Sequence, residues 1–108
     1  MDQAYVLEAA NEGFEALAEL SSCPKLRTLN VNGNRLIDLR QLSGAPHLRE
    51  LKAGNNRLED VDDIEFCKEL ETLHLHNNPK LEKAPRSVGR LRHLRILRLD
   101  RCGIVDVG

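Results

Sequence analysis

The sequence predicts an α/β solenoid. Stacked coils of about two dozen residues would carry a parallel β-sheet on one side and 3₁₀, short-helix or irregular returns on the other. Three observations predict it. Leucines at Leu26, Leu48, Leu70 and Leu94 open similar segments spaced 22, 22 and 24 residues apart. Each segment carries apolar residues at its first, fourth and sixth positions. The apolar stock is aliphatic, because the 108 residues hold only Tyr5, Phe14 and Phe66 as aromatics, with no Trp. With 41% hydrophobic and 31% charged residues the chain is globular in composition, and its length suits a single domain over 1–108.

The elements follow in order. Residues 1–25 admit two readings. One is a degenerate first repeat starting at Ala4, with Leu7, Ala9 and Phe14 in register and Glu12 at the ninth position. The other is an N-terminal cap helix turning Tyr5, Leu7, Phe14, Leu17 and Leu20 inward. Residues 26–47 begin LRTLNVNGNRL, 48–69 begin LRELKAGNNRL, 70–93 begin LETLHLHNNPKL, and 94–108 begin LRILRLDRCGI. The inward sets are Leu26/Leu29/Val31, Leu48/Leu51/Ala53, Leu70/Leu73/Leu75 and Leu94/Leu97/Leu99. Alternation of apolar and polar residues marks a strand with one buried face. One such strand buries too little surface alone, so successive copies must stack. In the returns, apolar residues recur three apart at Leu36/Leu39/Leu42 and Leu58/Val61/Ile64, which suits a 3₁₀ path. Cys23, Ala45, Cys67 and Leu91 share a slot three residues before the next starting leucine and are expected to be buried. The last repeat stops at Gly108 in mid-return, where Val105 and Val107 offer no long polar cap.

The ninth position is Asn34, Asn56, Asn78 and then Cys102, followed two residues later by Leu36, Leu58 and Ile104, or three later by Leu81. The pattern L-x-x-L-x-L-x-x-N/C-x-L resembles the leucine-rich-repeat family over about three quarters of the chain, from Leu26 onward. The first two returns resemble the 22-residue subclass of intracellular proteins. The third, KLEKAPRSVGRLRHL with Pro85, Val88 and Gly89, resembles the L-P-x-x-I-G-x-L return of another subclass, with Ala84 in place of leucine. The resemblance implies a rigid, non-catalytic adaptor or regulatory module. The asparagine column is expected to be structural, satisfying backbone groups where the chain turns at the end of each strand.

Function is expected on the exposed strand positions, which line the concave face of such a solenoid. The candidate partner-binding residues are Thr28, Asn30, Asn32, Glu50, Lys52, Thr72, His74, His76, Ile96, Arg98 and Asp100. The middle column turns basic toward Arg98, the best single anchor, and suits a protein partner with an acidic segment. The solvated convex side is expected to hold an acidic block from Glu59 to Glu71 and a basic run from Lys80 to Arg101, the alternative for the basic run being a docking edge for an acidic partner.

Other classes are disfavoured. Net charge is −1, so bulk electrostatics provide no nucleic-acid or membrane attraction. No apolar run approaches the ~20 residues needed to cross a bilayer. No glycine-rich phosphate loop and no G-x-S-x-G motif occur. Cys67 is expected inside and away from His74, and Ser21, Ser22, Ser43 and Ser87 have no matched base. No enzyme activity and no cofactor is therefore expected. His74 and His76 alone make a weak metal signal, so no metal is expected. Three cysteines without C-x-x-C, lying on core slots, suit a reducing, cytoplasmic setting. Two further readings stay open: a recognition piece of a longer protein, which could be an enzyme, and a self-associating module joined through its uncapped C-terminal end.

Overall fold

The structure, a computed structural model, describes residues 5–17 and 23–104. Asp2, Ala4, Leu20, Ser21, Ser22 and the stretch Val105 to Gly108 lie outside the described residues. Among the described residues, five strands form one parallel sheet in chain order: β1 Val6–Glu8, β2 Thr28–Asn30, β3 Glu50–Lys52, β4 Thr72–His74 and β5 Ile96–Arg98. Leu7, Leu29, Leu51, Leu73 and Leu97 are aligned across the sheet. Their inward direction follows from strand alternation. Leu29, Leu51 and Leu73 are fully buried, whereas Leu97 on the outermost strand remains 38% exposed.

The strands are short, but the ladder continues beyond them. Val31 N–H donates to Lys52 O at 2.8 Å and Ala53 N–H to His74 O at 2.8 Å. The returns run back as 3₁₀ turns at Arg40–Gly44, Asp62–Phe66 and Arg86–Arg90. Leu42 and Ile64 in the first two are fully buried, and so are Ala45, Cys67 and the starting leucines Leu26, Leu48 and Leu70. Among the described residues, contacts between strands and between returns join successive coils only.

The first segment also carries a strand, β1, in register with β2. Tyr5 is 54% and Phe14 is 41% exposed, so these two do not form an inward helix face. Leu17 is buried. Asn11 supplies a second mark of the repeat. It has φ 58°, and the same slot holds Gly33 (72°), Asn55 (56°), Asn77 (55°) and Arg101 (59°). Each coil therefore leaves its strand through a left-handed residue, a conformation that glycine and asparagine tolerate best.

The asparagine column follows immediately. Asn56 Nδ2 donates to Val31 O (3.0 Å), Ala53 O (3.2 Å) and Gly54 O (3.0 Å), while its Oδ1 accepts from Leu36 N–H (3.0 Å). Asn78 repeats this set toward Ala53, Leu75, His76 and Leu58. Asn34 donates to Ala9 O and Val31 O and accepts from the Glu12 and Phe14 amides. Each side chain thus ties its own coil to the one before it. Cys102 takes the slot in the last coil, its thiol donating to Leu75 O at 3.1 Å.

The third return adds a polar lock beside its apolar contact, in which Val88 packs against the core. Ser87 is 3% exposed, and its hydroxyl donates to Asp62 O at 2.8 Å. Val88 is only half-buried.

Candidate functional site

The outward residues of the sheet form straight rows. Thr28, Glu50, Thr72 and Ile96 are aligned across β2 to β5, and so are Asn30, Lys52, His74 and Arg98. Parallel strands lie ~4.8 Å apart, so four neighbours in a row span ~14 Å. Thr28, Asn30, Asn32, Glu50, Lys52, Thr72 and His74 are half-exposed, and Ile96, Arg98 and Asp100 are exposed. His76 differs. It is 9% exposed, and the space above Gly54 is the reason. A Cβ on Gly54 would sit 2.4 Å from His76 Cε1, so the imidazole fills the place of the missing side chain. His76 Nδ1 has no hydrogen-bond partner there. The His74 and His76 rings meet edge-on, with centroids 5.8 Å apart.

Electrostatics on this face are set by local pairing. Arg98 does not project as an open cation: its Nε and Nη2 donate to the two Asp100 carboxylate oxygens at 3.2 and 3.0 Å. That bidentate fork holds the Asp100 carboxyl below its ordinary pKa. At the other end Asn30 Nδ2 donates to Glu8 Oε2 at 2.8 Å, and Asn32 Oδ1 accepts from Gly54 N–H at 2.7 Å. Glu8, Glu50 and Asp100 oppose Lys52 and Arg98, leaving the face at −1 while both histidines are neutral. Protonating both brings it to +1. Burial first, then His76, Arg98 and Lys52, lower the His74 pKa. Burial, with Arg98 next, lowers that of His76. At neutral pH the middle row is therefore less basic than its residue types suggest.

Chemistry-bearing groups elsewhere are engaged in structure. Burial pushes the Cys67 thiol up to about 12, and its S–H faces Ala45 O at 3.6 Å. His47 is exposed and hydrogen-bonded to Glu69. Among the described residues, no three or more His, Cys, Asp and Glu side chains are arranged to hold a metal ion. No described helix is long and apolar enough to cross a membrane.

Two features of the site were missed in the sequence reading. The Gly54–His76 fit could have been found from a glycine and a histidine facing each other in one column. The Arg98–Asp100 pair could have been found from opposite charges two residues apart on one strand face.

With this geometry in view, the comparisons with known proteins become specific. Residues 46–88 match the family model described as leucine-rich repeats in two copies. Residues 46–88 are thus leucine-rich repeats, and the chain shares the leucine-rich-repeat fold. A crystal structure of internalin C2 from Listeria monocytogenes is similar to it, with a TM-score of 0.85 at 22% identity over 95% of this chain and 45% of that one. A chain of the BIR3–SERK2 complex from Arabidopsis thaliana has a TM-score of 0.75 at 28% identity, covering 89% of this chain and 55% of that one. Internalin inlF from Listeria monocytogenes has a TM-score of 0.70 at 22% identity, covering 95% and 36%. The chain thus spans little more than half, or less, of the length of these structures. No curated protein matches it in sequence. Leucine-rich repeats are in general protein-interaction modules and non-enzymatic scaffolds.

Proposed function

We propose that this solenoid is a non-catalytic adaptor or regulatory module that binds a protein partner across the concave, outward face of its sheet. The observation that carries this reading is the pair of aligned rows of partly exposed side chains, Thr28 to Ile96 and Asn30 to Arg98. Their fixed spacing offers a rigid template, so a partner segment loses its own freedom but the protein loses little. Acidic side chains of the partner would meet Lys52 first, because Arg98 is already paired with Asp100. Cys67 and Cys102, held as hydrogen-bonding thiols, support residence in a reducing, cytoplasmic setting.

The test is affinity capture with wild type and with Lys52→Glu/Arg98→Glu, with both proteins shown to be folded. Loss of the specific partners in the double variant supports the reading. Retention of all of them refutes it. Self-association is a second reading, favoured by the 52% exposure of Ile96 and 38% exposure of Leu97 on β5. A monomeric sedimentation coefficient that does not change with concentration would exclude it.

A further inference from the structure

Charge in this molecule is sorted across the coil rather than along the chain. Consider the leading flank, the side on which the strands begin. Backbone bonds stack its residues in columns: Arg49 N–H donates to Arg27 O, Glu71 N–H to Arg49 O, and Arg95 N–H to Glu71 O, each at 2.8 Å. The turns just before hold Lys25, His47, Lys68–Glu69 and Arg92–His93. Six bases therefore oppose two acids, giving the flank +4 with its histidines neutral, on a chain whose total is −1. One of those acids, Glu69, is already paired with His47. Among the described residues, Arg49, Lys68, Arg92 and Arg95 have no ion-pair partner within 4.0 Å.

The flank is also indented. A cleft of about 580 Å³ is lined by Lys68, Glu69, Gly89, Arg90, Arg92 and His93. Beside it a cleft of about 380 Å³ is lined by Glu71, Arg92, His93, Leu94 and Arg95. Arg92 and His93 form the shared wall. The expected basic run from Lys80 to Arg101 is therefore divided: Arg90, Arg92 and Arg95 line this flank, Arg90 while paired with Glu65 at 3.3 Å, and Arg98 lies on the sheet.

We infer that the leading flank is a second interaction surface that takes an acidic, carboxylate-rich segment of a protein partner. Guanidinium forks match carboxylates in pairs, and the alternation of Arg49, Glu71 and Arg95 rejects a uniformly basic partner. Aromatic platforms for stacking bases are absent from the clefts' linings, which disfavours single-stranded nucleic acid. The flank adjoins the first outward row, since Arg27, Arg49, Glu71 and Arg95 directly precede Thr28, Glu50, Thr72 and Ile96. A segment on the flank would therefore run directly beside anything lying on the sheet.

The test uses the whole chain and a fluorescein-labelled oligoglutamate, followed by anisotropy. Three proteins are compared: wild type, Arg49→Glu/Arg92→Glu/Arg95→Glu and Lys52→Glu/Arg98→Glu, with circular dichroism confirming that all are folded. The flank variant is expected to bind at least about tenfold more weakly, since reversing exposed charges removes steering and pairing together. The sheet variant is expected to lose less than the flank variant, because it reverses two charges, one of them already paired with Asp100, against three that have no ion-pair partner. Equal binding by the flank variant, or loss confined to the sheet variant, overturns the inference. Tighter binding of a single-stranded oligonucleotide of the same charge also overturns it. Because the sheet variant is scored separately, failure of the flank and failure of the concave-face reading are distinguishable.

Discussion

Asn56→Ala is the sharpest probe of what holds the coils in register. The change deletes four hydrogen bonds made by one amide. Their loss is unequal. Val31 O still accepts from Asn34, Ala53 O from Asn78, and Gly54 O from Gly33 N–H. Only the Leu36 amide is left without its acceptor, at a residue that is fully buried. An orphaned buried donor costs about 1–3 kcal/mol, and each remaining bond contributes about 0.5–1.5 kcal/mol net. The amide has two N–H groups, so the donated side loses about two effective bonds. The total is about 4 kcal/mol, a large share of the roughly 5–15 kcal/mol available to a domain. Urea denaturation followed by circular dichroism measures it as a shift in midpoint at constant slope. A loss below about 1 kcal/mol would refute the reasoning, because it would mean that the shared carbonyls and water replace the amide almost fully.

Other outcomes follow from the same geometry. Stability should fall as pH drops below the ordinary histidine value of 6.5, because folding lowers the pKa of His74 and His76 and the unfolded chain then binds more protons. A second decline should follow below the ordinary carboxylate values, where Glu69 loses its tie to His47 and Asp100 its tie to Arg98. The Asp63 carboxyl, raised by burial and by Asp60 and Asp38, partly offsets that decline. Denaturation at several pH values, with histidine shifts read by NMR, checks both steps, and a flat profile from pH 7.5 to pH 5 would contradict the first. Gly54→Ala should drive the His76 ring off its seat, since the new Cβ would meet it at 2.4 Å, and should bring the His76 pKa back toward its ordinary value. Arg101→Asn should stabilise the chain by up to about 1 kcal/mol, because arginine at φ 59° bears a left-handed strain that asparagine bears less. An unchanged melting midpoint would count against that strain.

The strands and their register were legible because one leucine pattern states both facts at once. A residue at the fourth position must face inward, and its equivalents 22 or 24 positions away must stack on it. The asparagine column was legible for the same reason, because buried backbone groups at a turn need a side-chain amide. The first segment was harder to read. Glu12 replaces the asparagine there, so its clearest mark is Asn11, which matters through its dihedral angle rather than its polarity. Ser87 was hidden because a serine in a return looks solvated until Asp62 O is brought to it. Charge was misread along the chain, since counting consecutive residues mixes the flank, sheet and return sides of each coil. Arg90, Arg92, Arg95 and Arg98 are near neighbours in sequence, yet the first three line the flank and Arg98 lies on the sheet.

Because each coil touches only the one before and the one after, the interior is a chain of separate seams and has no common centre. A substitution at one seam should therefore be felt first by the two coils that meet there. A binding face written on such a column can be lengthened by one more copy of a coil, and every existing row would simply gain another rung.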